Sequence, residues 1–345
     1  MTAVALLLLS ALPSGAAPLS TSLRQAYAVA LPDLKGDDAE RRIAKIRRDQ
    51  DASRVIETAW AELQDPRLDD TSRKVKRLVM QIAAAIARTE EAPVGGRTAT
   101  EAGRAKARQL ATEAIALAPG SPDAHDAMGD VLLDARDVDE AEAEYRRAVS
   151  AEPRLSVSHA KLGNALLLQS NWPAAEAELR EAIRLDPRSV SAHSDLGLVL
   201  RSIRKLPESA AEFTEALKID ADSVDAHNGL AVTLARLGRM ADAVAEFREI
   251  VRVDPDSAVG YYNISYALAE LDKDEESAEA LREVLRINPN HYNAHYNLGE
   301  LFRLEGKYDD SARQFREYLR LAPDGPANRR NITRATDFIK KFEND

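Results

Sequence analysis

The chain has 345 residues, 45% apolar and 30% charged, with 15 Gly, 15 Pro and only 5% aromatics. That mix excludes a disordered or collagen-like chain and favours packed helices over sheets. The absence of cysteine removes disulfides, thiolate metal sites and a cysteine nucleophile. The net charge of −10 is uneven, +4 over residues 24–110 and −14 over residues 111–345; an acidic body repels a phosphate backbone, so nucleic acid is not an expected partner.

Residues 4–12 are an apolar run, followed by Pro13 and the small residues Ser14, Gly15, Ala16 and Ala17. The run is too short to span a bilayer and has the length of a signal-peptide core. Residues 1–17 are therefore expected to be a leader cut between Ala16 and Ala17, which would make the mature protein periplasmic. The basic residues that usually open a leader are missing, and a start codon placed too late would explain that. Residues 18–36 read as a linker. Residues 37–73 read as a helical region built around Ile43, Ile46, Val55, Ile56, Trp60 and Leu63.

Residues 74–121 read as a degenerate helical hairpin. Its first helix, 74–90, carries Val75, Leu78, Ile82 and Ile86 as an apolar stripe. Its second, 100–117, starts at Thr100 as an N-cap, and Pro119 lies just past its end. The stretch between, with Pro93, Gly95 and Gly96, reads as a loop.

From there the sequence is periodic. Pro119, Pro153, Pro187, Pro255, Pro289 and Pro323 recur at 34 residues or twice that, with Ala221 at the skipped place. The same period carries a small residue at Gly129, Gly163, Gly197, Ala231, Ser265 and Gly299. It carries a second at Ala141, Ala175, Ser209, Ala243, Ser277 and Ser311, and a large one at Tyr145, Leu179, Phe213, Phe247, Leu281 and Phe315. Spacings of three and four place these on one helical face, where small residues admit a neighbouring helix and large ones fill the gap beside them. Residues 326–345 read as a capping helix with Ile332, Ala335, Ile339 and Phe342 on one side, covering apolar surface that the last repeat would otherwise expose.

The period and the small–large alternation resemble the tetratricopeptide repeat family, with six units over residues 122–325. The resemblance implies an all-α fold, a right-handed superhelical solenoid of helical hairpins whose first helices line a groove. On the family's pattern the groove residues are Asp126, Asp130, Asn164, Leu168, Leu198, Arg201, Asn228, Val232, Arg236, Tyr262, Tyr266, Tyr296 and Arg303. Such a groove starts acidic, at Asp123, Asp126, Asp130 and Asp134, then turns apolar and ends aromatic. It would suit a protein partner presenting an extended or helical segment with apolar side chains, basic where it meets the aspartates.

Five histidines, His125, His159, His193, His227 and His295, share one repeat position, with Tyr261 in the remaining unit. Packed helices lie about 8–10 Å apart, whereas ligands of one zinc ion bind at about 2 Å, so equivalent positions cannot share a metal. These rings are expected to wedge between helices. His291 and His295 have a zinc-pair spacing but no glutamate between them. No phosphate loop, nucleophile elbow or cofactor motif occurs, so no cofactor, small-molecule substrate or catalysis is expected, and membrane association only through partners. The expected function is that of a scaffold assisting an envelope machine such as a pilus, secretion or gliding-motility complex; the alternative is a cytoplasmic adaptor or co-chaperone.

Overall fold

The computed structural model describes residues 21–32, 43, 46, 50–87, 90–91, 97–98 and 101–344. The expected leader lies outside them. The chain divides into two units, Met1–Pro187 and Arg188–Asp345. Both are stacks of antiparallel helical hairpins, the all-α solenoid architecture that the family resemblance implies.

In the first unit the described helices are α1 (Thr21–Ala30), α2 (Gln50–Leu63), α3 (Asp70–Ile86), α4 (Glu101–Leu117), α5 (Pro122–Asp134), α6 (Val138–Ala151), α7 (Ser156–Leu168) and α8 (Trp172–Leu185). From α2 onward each packs on the next, and α5 also touches α7. Two sequence expectations need correction. Residues 21–30, read as linker, form α1, because Ala26, Tyr27 and Ala30 fall on one face and are buried with Ile46, Ile56 and Met80. The loop expected after residue 90 contains a two-residue antiparallel ladder, β1 (Glu90–Glu91) with β2 (Arg97–Thr98), pairing Glu90 with Thr98.

The second unit comprises α9 (Val190–Ser202), α10 (Leu206–Ile219), α11 (Val224–Arg236), α12 (Met240–Val253), α13 (Ala258–Ala269), α14 (Asp274–Ile287), α15 (Tyr292–Leu304), α16 (Tyr308–Leu321) and α17 (Arg329–Asn344). Consecutive helices pack throughout, and α9 also meets α11. Among the described residues no helix is long and apolar enough to cross a membrane.

The small–large alternation has a direct cause. A Cβ added at Gly129 would lie 2.3 Å from the Tyr145 ring, and one at Gly229 2.2 Å from Phe213, so the ring occupies the space a side chain would need. Where the second helix opens with serine instead of alanine, the hydroxyl is also satisfied: Ser209 donates to the Gly197 carbonyl at 2.7 Å and Ser311 to that of Gly299 at 2.8 Å.

Four of the six first helices start at a serine cap, and all six stop at the same kind of turn. Ser121, Ser189, Ser223 and Ser257 accept from a backbone N–H three residues on, as N-caps do. At the other end the chain turns left-handed at Arg136, Ser170, Arg204, Gly238, Asp272 and Gly306, again one period apart. The next residue's N–H reaches back five residues, as Asp137 does to Leu132 and Asn171 to Leu166, both at 2.9 Å. Only two of the six positions are glycine, so four units carry a side chain in a conformation that costs about 1–2 kcal/mol.

At the C-terminus α17 covers the last hairpin. Ala335 is fully buried with Phe315 and Tyr318, and Phe338 meets the Phe315 ring edge-on at 5.3 Å.

Candidate protein-binding face

The open face of the first helices, turned away from the second helices, differs between the units. In the first unit its acidic residues are already partnered. Asp123 accepts from Lys76 at 2.8 Å, and Asp134 accepts from Arg104 at 2.7 Å. Asp130 accepts from Lys161 at 2.6 Å and from the Tyr145 hydroxyl at 2.9 Å. Asp126 accepts from Ser158 at 2.8 Å. The expected acidic mouth for a basic guest is thus closed: three of the four carboxylates face a cation of this chain. Asp126, expected on the groove surface, is only 5% exposed because α7 lies over it. Its second oxygen has no partner, and burial, against the pull of Lys161 and Ser158, pushes its pKa up to about 6. Burial likewise holds the Tyr145 hydroxyl well above the ordinary tyrosine value. Asn164 is half-buried, and Leu168 is 55% exposed at the end of α7.

In the second unit α13 presents Val259, Tyr262 and Tyr266 on one face. Val259 and Tyr266 are more than half exposed, and so is Leu304 at the end of α15. Tyr262 is half-buried: its hydroxyl accepts from Asn297 at 3.2 Å and its ring centroid is 4.9 Å from that of His291. Val232 and Leu198 are half-buried, Asn228 and Arg236 exposed. Arg201 donates to the Gly229 carbonyl at 3.3 Å and its guanidinium lies 6.0 Å from the Phe213 ring centre. Burial and then the charge of Arg236 both lower its pKa. Arg303 donates to Glu300 at 3.0 Å, and Arg334 of α17 also pairs with Glu300, at 2.9 Å. Tyr296 leaves the set of surface residues: it is 8% exposed, packed on Phe315 and Tyr318 at 5.7 and 5.0 Å between ring centroids. Exposed tyrosine and leucine are costly to hydrate, and tyrosine is a frequent anchor in protein interfaces.

The histidines do more than wedge. The Nδ1 of His125, His193 and His227 lies 2.7 Å from Glu144, Glu212 and Glu246, and that of His159 lies 2.6 Å from Glu178. The Nε2 atoms of His125, His159 and His227 face the carbonyl of the inter-repeat turn, Pro119 at 2.9 Å, Pro153 at 3.1 Å and Ala221 at 3.0 Å. Two acceptors flank one ring, an arrangement a charged imidazolium satisfies at both nitrogens. His227 is accordingly raised above the ordinary histidine pKa, chiefly by Glu246. Each ring straps the turn to the second helix of its own repeat. His291 is used otherwise: its Nδ1 accepts from the Ala294 N–H at 3.2 Å, capping α15, and burial lowers its pKa. No group of three or more His, Asp or Glu able to hold a metal occurs among the described residues.

A tetratricopeptide repeat profile matches residues 102–155, 160–224, 203–258 and 262–326, well over half of the chain. No curated protein matches the sequence. Among solved structures, PilF of Pseudomonas aeruginosa is similar with a TM-score of 0.53 and 16% identity, covering 64% of this chain and 96% of that one. The C-terminal part of a TPR repeat-containing protein from Cytophaga hutchinsonii gives 0.53 and 13%, covering 68% and 94%. The Cut9–Hcn1 pair of the APC/C hetero-tetramer gives 0.59 and 14%, covering 93% of this chain and 62% of that one. Identities this low reflect a shared fold and nothing finer.

Proposed function

Because the chain belongs to the tetratricopeptide repeat family, a family of protein-interaction scaffolds, we propose that it holds a protein segment on the open first-helix face of its second unit. The observation that carries this reading is the exposure of Val259, Tyr266 and Leu304 on that face. The occupant is an extended or helical segment whose apolar side chains cover them. Tyr262, fixed by Asn297 and His291, supplies a rigid wall at low entropic cost. In the first unit the groove carboxylates are partnered within the chain, and beside the exposed Val157 and Leu168 stands Asn164 where the second unit has Tyr266, so the second unit offers the stronger docking surface. The reading is of a binding protein without chemistry of its own.

The apolar run at residues 4–12 supports export, and with it work in the periplasm on an envelope assembly such as a pilus, secretion or gliding-motility machine. Two measurements test these statements. Affinity capture with the Tyr266→Ala/Leu304→Ser variant should lose partners that the parent retains; unchanged capture removes this face as the site. N-terminal sequencing of the protein from its host should begin at Ala17. An intact Met1 discards export in favour of a cytoplasmic adaptor.

A further inference from the structure

Cations of the second unit are mostly balanced within it: Lys218 by Glu215, Arg239 by Asp242, Arg252 by Asp222 and Arg320 by Glu317. Arg201 and Arg236, on the open face, have no carboxylate partner among the described residues. Arg201 is half-buried and held in place by the Gly229 carbonyl and the Phe213 ring, which leave most of its five N–H donors unused. Arg236 stands in the last turn of α11, which packs on the helix α9 that carries Arg201 in its own last turn, and its charge acts on Arg201. Two like charges kept together, one partly desolvated, form a site whose energy falls when an anion enters. The acids of the same face do not serve. Asp225 lies at the opposite end of α11, about 16 Å along the helix at 1.5 Å per residue, and Glu270, at the end of α13, pairs with neither arginine.

The surface beside the guanidiniums is apolar. Leu198 precedes Arg201 by three residues and Val232 precedes Arg236 by four, so each lies one turn back on the same helical face. Resting on the reading of this face as the docking surface, the geometry points to a partner segment that carries an aspartate or glutamate side chain beside apolar residues. Its carboxylate sits between Arg201 and Arg236, and its apolar neighbours lie on Leu198, Val232 and the Val259–Tyr266 face. Arginine suits this role because its planar fork can bond both oxygens of one carboxylate. A basic guest, the natural expectation from the aspartates of the first unit, would meet repulsion here.

Selection of a random-peptide phage library on the full-length protein tests this, with the peptides displayed internally so that only side-chain carboxylates are on offer. The parent should enrich peptides with an acidic residue flanked by apolar ones. Arg201→Gln/Arg236→Gln should lose the acidic preference and keep the apolar one. Arg236→Gln alone, at an exposed site with no ion pair to lose, guards against a folding defect and should show the same loss in part. Glu→Gln in a selected peptide should weaken binding about tenfold to the parent and little to the double variant. Apolar peptides without acids, or an acidic preference that survives both variants, overturn the inference while leaving the docking face in place. No enrichment over background by the parent overturns both.

Discussion

The two units share one repeat pattern and use their open faces differently. The first covers its acids with its own cations and buries Asp126 under the next repeat. Both expose apolar residues at matching repeat positions, Val157 and Leu168 in the first and Val259 and Leu304 in the second, but only the second adds an exposed tyrosine, Tyr266, and two unmatched arginines. Charged groups that satisfy one another gain rigidity and have little left to offer a charged guest. Leaving apolar and charged groups unmet costs stability and creates a site. Residue type at a repeat position therefore does not announce a groove; what the adjacent repeat places opposite it decides.

The largest effect should come from the interior that both units share. Phe213→Ala removes a ring 1% exposed, wedged against Gly197 and Gly229, and should cost about 3–5 kcal/mol in denaturant unfolding. A cost under about 1 kcal/mol would mean that the hairpins do not interlock as described.

The contrast itself is tested by paired cation deletions. Lys161→Met leaves Asp130 beside the buried Asp126 without its cation and should cost about 2 kcal/mol. Arg201→Met, with no carboxylate to abandon, should change stability by less than about 0.5 kcal/mol. Equal losses at the two sites would erase the distinction between the units.

Asp126 and His227 contribute in different pH windows. Burial pushes the Asp126 pKa up to about 6 in the folded chain, against 3.8 for an ordinary aspartate. Its contribution to stability is therefore complete below 3.8 and is lost as pH rises through about 6. His227 is raised above 6.5, so the strap's contribution is complete below 6.5 and is lost as pH rises through its higher folded value. In melting curves, the stability difference between the parent and Asp126→Asn, or His227→Gln, should fall with rising pH across that residue's own window. A parent–variant difference that grows with pH in either window would contradict the geometry.

A smaller effect belongs to the turns. Ser170→Gly relieves the left-handed conformation at φ 62°. Offset by the flexibility of glycine when unfolded, it should stabilise by about 0.5 kcal/mol. A loss of stability would show that the Ser170 side chain matters in another way.

Much of this was legible in the sequence, since a fixed period converts residue type directly into position. Tyr145 on Gly129 and the C-terminal cap around Ala335 follow from the small–large alternation and the amphipathic stripe. The straps were legible too, in a signal the single-position reading passes over. Wherever the first helix has histidine, the residue nineteen places on is Glu144, Glu178, Glu212, Glu246 or Gln314; where Tyr261 replaces it, Ala280 stands opposite. Helix α1 was missed because a short, alanine-rich segment gives little periodic signal, and its buried partners lie well along the chain, at Ile46, Ile56 and Met80. The groove was read least well. Asp126, Asp130 and Tyr296 sit at groove positions by sequence, yet Ser158, Lys161 and the α17 cluster occupy the space in front of them. That information resides in the next element, not in the helix that bears the residue.

A photo-crosslinking amino acid placed in the full-length protein in its host addresses the central claim most directly. Sites at Val232, Tyr266 and Leu304 on the open face should be compared with Arg248, Arg282 and Arg316, exposed on the second helices. The account predicts adducts of one common partner from the three open-face sites and none from the other three. Adducts from the second-helix sites alone, or from neither set, would contradict it.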